Sequence, residues 1–217
     1  MSISENLLKI RAGLPDEVVL VAVSKTKSAE EILQAYSSGQ RVFGENRIQE
    51  MVEKHDILPK DIAWHMIGHV QRNKVKYMAP FVSLIHGVDS LKLLKEINKQ
   101  GEKHGRKLGC LLQVHIAEES SKFGFSSEEL EALAASGELD NLEYVSVSGL
   151  MGMATFTTDM EQVRREFKGL KLLFDNLRES LPELETLSMG MSGDYKIAIQ
   201  EGSNMVRIGS SIFGARN

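Results

Sequence analysis

Residues 18–27 read VVLVAVSKTK. An apolar, β-branched run without polar alternation is the pattern of a strand buried on both faces, as in a parallel sheet, and here it stops abruptly at Ser24, Lys25, Thr26 and Lys27. Parallel strands carry their chemistry at their C-terminal ends, so Lys25 falls where α/β folds build sites. A lysine emerging from apolar surface can lose hydration and become available for a Schiff base with an aldehyde. It can equally be a solvated lysine that closes a strand, and the rest of the chain has to decide.

Outward from this stretch one pattern repeats. SAEEILQAYSSG follows, with Ser28 as cap, Glu30 and Glu31 in the first turn and Gly39 as stop, which predicts a helix. RVFGEN (41–46) then leads into a helix from Arg47 to about His55, IAWHMIG (62–68) into VQRNKVKYM, FVSLIHGV (81–88) into SLKLLKEINKQGEKHG, and KLGCLLQVHIA (107–117) into SSEELEALAASG. LEYVSVSGLMGMA (142–154) precedes a long helix from about Asp159 to Ser180, TLSMGM (186–191) precedes DYKIAIQEG, and MVRIGSSIFG (205–214) is the last strand. Eight strands at a period of about 26 residues, with no linker between them, argue for a single α/β domain over 1–217, a (β/α)8 TIM barrel rather than an open doubly wound sheet. Ahead of them Ile3, Leu7, Leu8 and Ile10 stand at near-helical spacing, with Ser4 as cap and Gly13 and Pro15 as stop. This extra N-terminal helix either stands in for the eighth outer helix or covers the barrel bottom.

Composition narrows the class of partner. A formal charge of −4, from 26 basic and 30 acidic residues, offers no basic stripe for nucleic acid. No apolar run approaches the roughly 20 residues of a membrane span, and the N-terminus lacks the apolar core of a signal peptide. Cys110, the single cysteine, sits in GCLLQV and reads as a small buried side chain, consistent with a reducing, cytoplasmic setting.

In a barrel the C-terminal strand ends converge on one mouth. There the sequence leaves Lys25 after strand one, Glu45, Asn46 and Arg47 after strand two, and His65, Gly68, His69, Gln71 and Asn73 around strand three. His86, Asp89 and His115 follow from strands four and five. Ser192, Gly193 and Asp194 lie where strand seven turns into a helix, and Gly209 and Ser210 follow strand eight. Backbone N–H groups at such turns form the phosphate cup that barrels build after their last two strands; the bland alternative is tight turns and a helix cap. The four-residue offset of His65 and His69 does not bring them together on a strand, so no metal is expected, and no catalytic triad is evident. Met151, Met153, Met189 and Met191 read as interior packing, although Met151, like Asn46, is kept as a candidate cofactor-binding position. A strand-one lysine, a phosphate cup and Arg207 on strand eight together imply a phosphorylated aldehyde as ligand, either pyridoxal 5′-phosphate or a sugar phosphate.

The motifs carry the reading further. VAVSKTK (21–27), FGEN with Gln49 (43–49), WHMIGHVQRNK (64–74), GLMGMA (149–154), LSMGMSGD (187–194) and VRIGSSIFGAR (206–216) together resemble the pyridoxal phosphate homeostasis proteins over nearly the whole chain. The resemblance implies a barrel like the N-terminal domain of alanine racemase, with pyridoxal 5′-phosphate as cofactor. It assigns the Schiff-base lysine to Lys25 rather than Lys27, phosphate binding to Ser192, Gly193, Gly209 and Ser210, and the partner of the pyridine nitrogen to Arg207. Ser28 and Ser210 stand where the family often has Pro and Thr, and Ser210 keeps the hydroxyl. A cation beside the ring nitrogen disfavours its protonation and weakens carbanion stabilisation. The resemblance also implies that relatives that are enzymes draw a second acid/base from an additional β domain, and no such domain is expected here. The expected function is therefore a monomeric carrier in vitamin B6 homeostasis that buffers the cofactor or delivers it to apoenzymes. A weak amino-acid racemase and a Schiff-base aldolase on a sugar phosphate are the alternatives.

Overall fold

The computed structural model describes residues 2–118 and 123–214. Residues Ala215 and Arg216 of the last motif lie outside them. Three helices begin on the same local device. Ser2, Ser28 and Ser126 each accept the N–H of the residue three places on, and Glu5, Glu31 and Glu129 return to the cap N–H. These capping boxes satisfy amides that no intrahelical carbonyl can reach. The first helix is thus capped by Ser2, not Ser4; Glu5 stands at the right spacing only for Ser2, and Ser4 instead meets Ser38 through its hydroxyl at 2.8 Å.

The chain runs α1 (Ile3–Ala12), β1 (Val19–Val23), α2 (Ala29–Ser37), β2 (Val42–Glu45), α3 (Ile48–Ile57), β3 (Ala63–Met66) and, after a 3-10 turn at Arg72–Lys74, α4 (Val75–Met78). It continues through β4 (Leu84–Val88), α5 (Leu91–His104), β5 (Leu108–Val114), α6 (Ser127–Ala135), β6 (Val145–Gly152), α7 (Met160–Leu177), β7 (Thr186–Ser188), α8 (Tyr195–Gln200), β8 (Met205–Ile208) and α9 (Ser210–Phe213). The eight strands pair in parallel in sequence order, and β8 closes on β1 with Val21 opposite Arg207. The strand expected over 205–214 ends at Ile208, because Gly209 turns the chain and Ile212 and Phe213 are buried on the short helix that follows. α1 buries Leu7 and Ile10, packs against α9 and α2, and donates from Asn6 Nδ2 to the Ile212 carbonyl at 3.1 Å. It therefore stands in the outer layer as a substitute for the eighth helix.

Alternation along the strands sorts the core into two parts. Val21, Leu111, Met151 and Met205 fill the barrel interior, while Phe43, Trp64, Ile85 and their neighbours pack outward under the helices. Gly149 permits the close approach of β6 to β7, since a Cβ there would lie 1.8 Å from the Thr186 carbonyl oxygen. Among the described residues no helix is long and apolar enough to cross a membrane.

Candidate functional site

The β1 ladder extends one residue past the strand, with the Ser24 N–H donating to the Gly44 carbonyl at 3.0 Å. Ser24, Lys25, Thr26 and Lys27 then form a four-residue turn closed by the Lys27 N–H on the Ser24 carbonyl at 3.0 Å. Lys25 occupies the corner of this turn and lines the cavity at the barrel mouth. Lys27 also borders the cavity, but its Nζ is engaged by Glu31 Oε1 at 3.1 Å and by the Phe213 carbonyl at 3.2 Å. Ser28 caps α2.

The opposite wall is built by the turns after β7 and β8. Gly190 adopts φ +95°, and a Cβ there would lie 2.6 Å from Ala198 Cβ, so only glycine lets β7 turn into α8 so tightly. The Gly209 N–H donates to Ser192 Oγ at 3.3 Å, which joins the two turns, and the first amides of α9, at Ser210 and Ser211, have no intrahelical carbonyl to reach. Asp194 is tied within the first turn by accepting the Met191 N–H at 2.5 Å. Ser192, Gly193, Gly209 and Ser210 all border the same cavity as Lys25.

Arg207 points inward from β8 and is buried. Its Nη1 donates to the Ser188 carbonyl at 2.9 Å and to Ser188 Oγ at 2.6 Å, and its Nη2 donates to the Gly152 carbonyl at 3.0 Å. Burial lowers its pKa to about 10, so it remains a cation at neutral pH. Behind it runs a chain of buried polar groups: Ser188 Oγ lies 3.2 Å from His86 Nδ1, and His86 Nε2 lies 3.0 Å from His65 Nδ1. A guanidinium only donates, so the Ser188 hydroxyl accepts from Arg207, while the donor and acceptor roles in the two histidine contacts follow from the ring tautomers. Both imidazoles are neutral at neutral pH, because burial holds His65 down to about 4 and, with His65 and Arg207 nearby, holds His86 well below the ordinary value.

The cavity measures about 730 Å³ and brings together Lys25, Asn46, Ser192, Gly193, Arg207, Gly209 and Ser210. Met151 is not brought in. It is fully buried in the barrel interior, and Met153, two residues closer to the mouth on the same side, borders the cavity instead. Glu45 points outward from β2 toward α3. His65 and His69 part company, His65 joining the interior chain and His69 Nδ1 meeting Asp89 Oδ2 at 3.0 Å while its ring stacks on Phe123. His115 is exposed and does not border the cavity. Among the described residues no group of three or more metal-ligating side chains occurs. Burial of Cys110 pushes its thiol pKa up, as the apolar surroundings led one to expect. The sequence reading missed Gln113 and Thr155 on the cavity wall and Ser188 behind Arg207. Ser188 has a signal, as a polar residue ending an apolar strand opposite Met205.

Comparison with known proteins places the chain and its fold. The whole of residues 1–217 matches the family model for the alanine racemase N-terminal domain. The pyridoxal phosphate homeostasis protein of Pasteurella multocida (strain Pm70) is 38% identical over 232 residues, covering 100% of this chain and 99% of the relative. The structure of PipY from Synechococcus elongatus PCC7942 without PLP superposes with a TM-score of 0.94 at 34% identity, covering 98% of this chain and 100% of PipY. The same protein with PLP bound gives 0.89 at the same identity and coverage.

Proposed function

Because the chain belongs to the pyridoxal phosphate homeostasis protein family, we propose that it binds pyridoxal 5′-phosphate, held as a Schiff base on Lys25, and buffers or delivers it rather than turning over a substrate. The observation that carries this reading is the single cavity onto which the Lys25 turn, the two glycine-serine turns and Arg207 all open. These donors fit the cofactor's three recognisable parts: an amine for the aldehyde, amides and hydroxyls for the phosphate, and a buried cation for the ring nitrogen.

When bound, the cofactor supplies an electrophilic aldehyde and an electron-withdrawing ring. The protein's own groups decide how little of that power is used. Lys25 supplies the tether. Ser192, Gly193, Gly209 and Ser210 would hold the phosphate through hydrogen bonds from amides and hydroxyls, without a lysine. Arg207 stays protonated, and its position is fixed by two carbonyls and Ser188. A fixed cation facing the ring nitrogen would keep protons off that atom, which suits storage better than carbanion chemistry. In this reading the protein works as a monomer in the cytoplasm and passes the cofactor to apoenzymes.

Protein loaded with pyridoxal 5′-phosphate and freed of excess ligand is expected to reactivate an apoenzyme that depends on this cofactor. It is expected to show no optical change with a panel of amino acids. Turnover above about 1 per second, the low end of the enzyme range, would overturn the carrier reading.

A further inference from the structure

We infer that Lys54 and Glu50 on α3 form a positioning device that holds the turn presenting Lys25. The inference rests on the proposed tether at Lys25. Its starting point is Thr26, the only non-glycine among the described residues with positive φ, at +64°. Thr26 is the third residue of the turn closed by Lys27 on Ser24, the place where turns with positive φ normally require Gly. A β-branched residue persists there only when its surroundings over-determine it, and such strain collects at functional sites.

The surroundings are explicit. The Thr26 N–H donates to Glu50 Oε1 at 2.6 Å. Lys54 Nζ donates to that same oxygen at 2.7 Å, to the Ser24 carbonyl at 2.7 Å and to Glu45 Oε1 at 2.8 Å. Ser24 Oγ donates to Glu45 Oε1 at 2.6 Å. One buried ammonium thus grips the first residue of the turn directly and the third through Glu50. On the far side, Lys27 reaches Phe213 on α9, just beyond the Gly209–Ser210 turn.

Stability alone is a poor reason for this arrangement. Lys54 and Glu45 are both buried, Glu45 Oε2 has no hydrogen-bond partner among the described residues, and a buried pair of this kind is often no more stable than apolar packing. Its location explains it: the device fixes the backbone on both sides of Lys25, so the direction in which Lys25 leaves the strand is set before the cofactor arrives.

The test uses Glu50→Ala, which cuts the Thr26 bond at a partly exposed residue, and Glu50→Ala with Thr26→Gly. Glycine takes positive φ without strain and so removes the need for the clamp. Pyridoxal 5′-phosphate is titrated into each full-length protein, and the adduct on Lys25 is quantified by borohydride reduction and peptide mass, with circular dichroism to verify the fold. Glu50→Ala is expected to bind about tenfold more weakly, the scale of strain at a non-glycine residue with positive φ, and to carry less adduct. Thr26→Gly is expected to restore both. Wild-type binding and adduct in Glu50→Ala, or a loss that Thr26→Gly does not repair, would overturn the inference while leaving the tether intact. Adduct persisting in Lys25→Ala would instead remove the tether and the inference with it.

Discussion

Replacing Lys54 by Met should destabilise the protein strongly at neutral pH and less so in mild acid. Lys54 bonds Glu45, a carboxylate without exposed surface, and its removal also takes a donor from the buried Ser24 carbonyl. Breaking a buried pair from one side costs about 3–5 kcal/mol, because the remaining charge is left uncompensated. In a chain of this size that lowers the melting temperature by roughly 6–20 °C. Burial already raises the pKa of Glu45 against the pull of Lys54, and without Lys54 it rises further. A carboxyl with a raised folded-state pKa makes the folded protein take up a proton as pH falls, so the deficit relative to wild type shrinks from pH 7 toward pH 5. Urea unfolding of wild type, Lys54→Met and Lys54→Met/Glu45→Gln at both pH values measures this directly. The double variant should recover much of the loss at pH 7. A deficit below about 1 kcal/mol, or one independent of pH and of Glu45, would refute the reasoning.

The interior histidines give a second pH signature. With a folded-state pKa near 4, His65 favours folding above its ordinary value of 6.5. That contribution, about 3 kcal/mol, is lost as pH falls from 6.5 toward 4. His65→Gln, whose amide can donate to or accept from His86, should make the stability profile shallower over that interval; an unchanged profile would show that His65 does not titrate there. Cys110, fully buried with its thiol pKa raised, should resist thiol reagents in the native protein and react fully once unfolded. Labelling of the native protein at the unfolded rate would contradict its place between β5 and the outer core.

What the sequence made legible follows from periodicity and local chemistry. The eight apolar runs, the Ser28 cap and the glycine turns each declare themselves within a few residues, so the barrel and the turns around its mouth could be placed, whereas the first cap falls on Ser2 rather than Ser4 because Glu5 answers only Ser2. Lys54 could not. It reads as half of an exposed i,i+4 pair with Glu50, and its burial arises only because Glu45 turns outward from β2 to face it. His65 and His86 lie 21 residues apart, and their contact depends on the stagger of β3 against β4. Met151 lies in β6 and Met153 just past its end, two residues apart, so alternation cannot tell the interior layer from the cavity wall; depth along the barrel decides it.

The choice between Lys25 and Lys27 is where one measurement bears most on function. Wild type, Lys25→Ala and Lys27→Ala should be titrated with pyridoxal 5′-phosphate, followed by absorbance and then reduced with borohydride for peptide mapping. The expected result is a visible band and a reduced adduct at Lys25 in wild type, both retained in Lys27→Ala and both lost in Lys25→Ala. A band that survives in Lys25→Ala, or one that disappears only in Lys27→Ala, would contradict the proposal that Lys25 holds the cofactor.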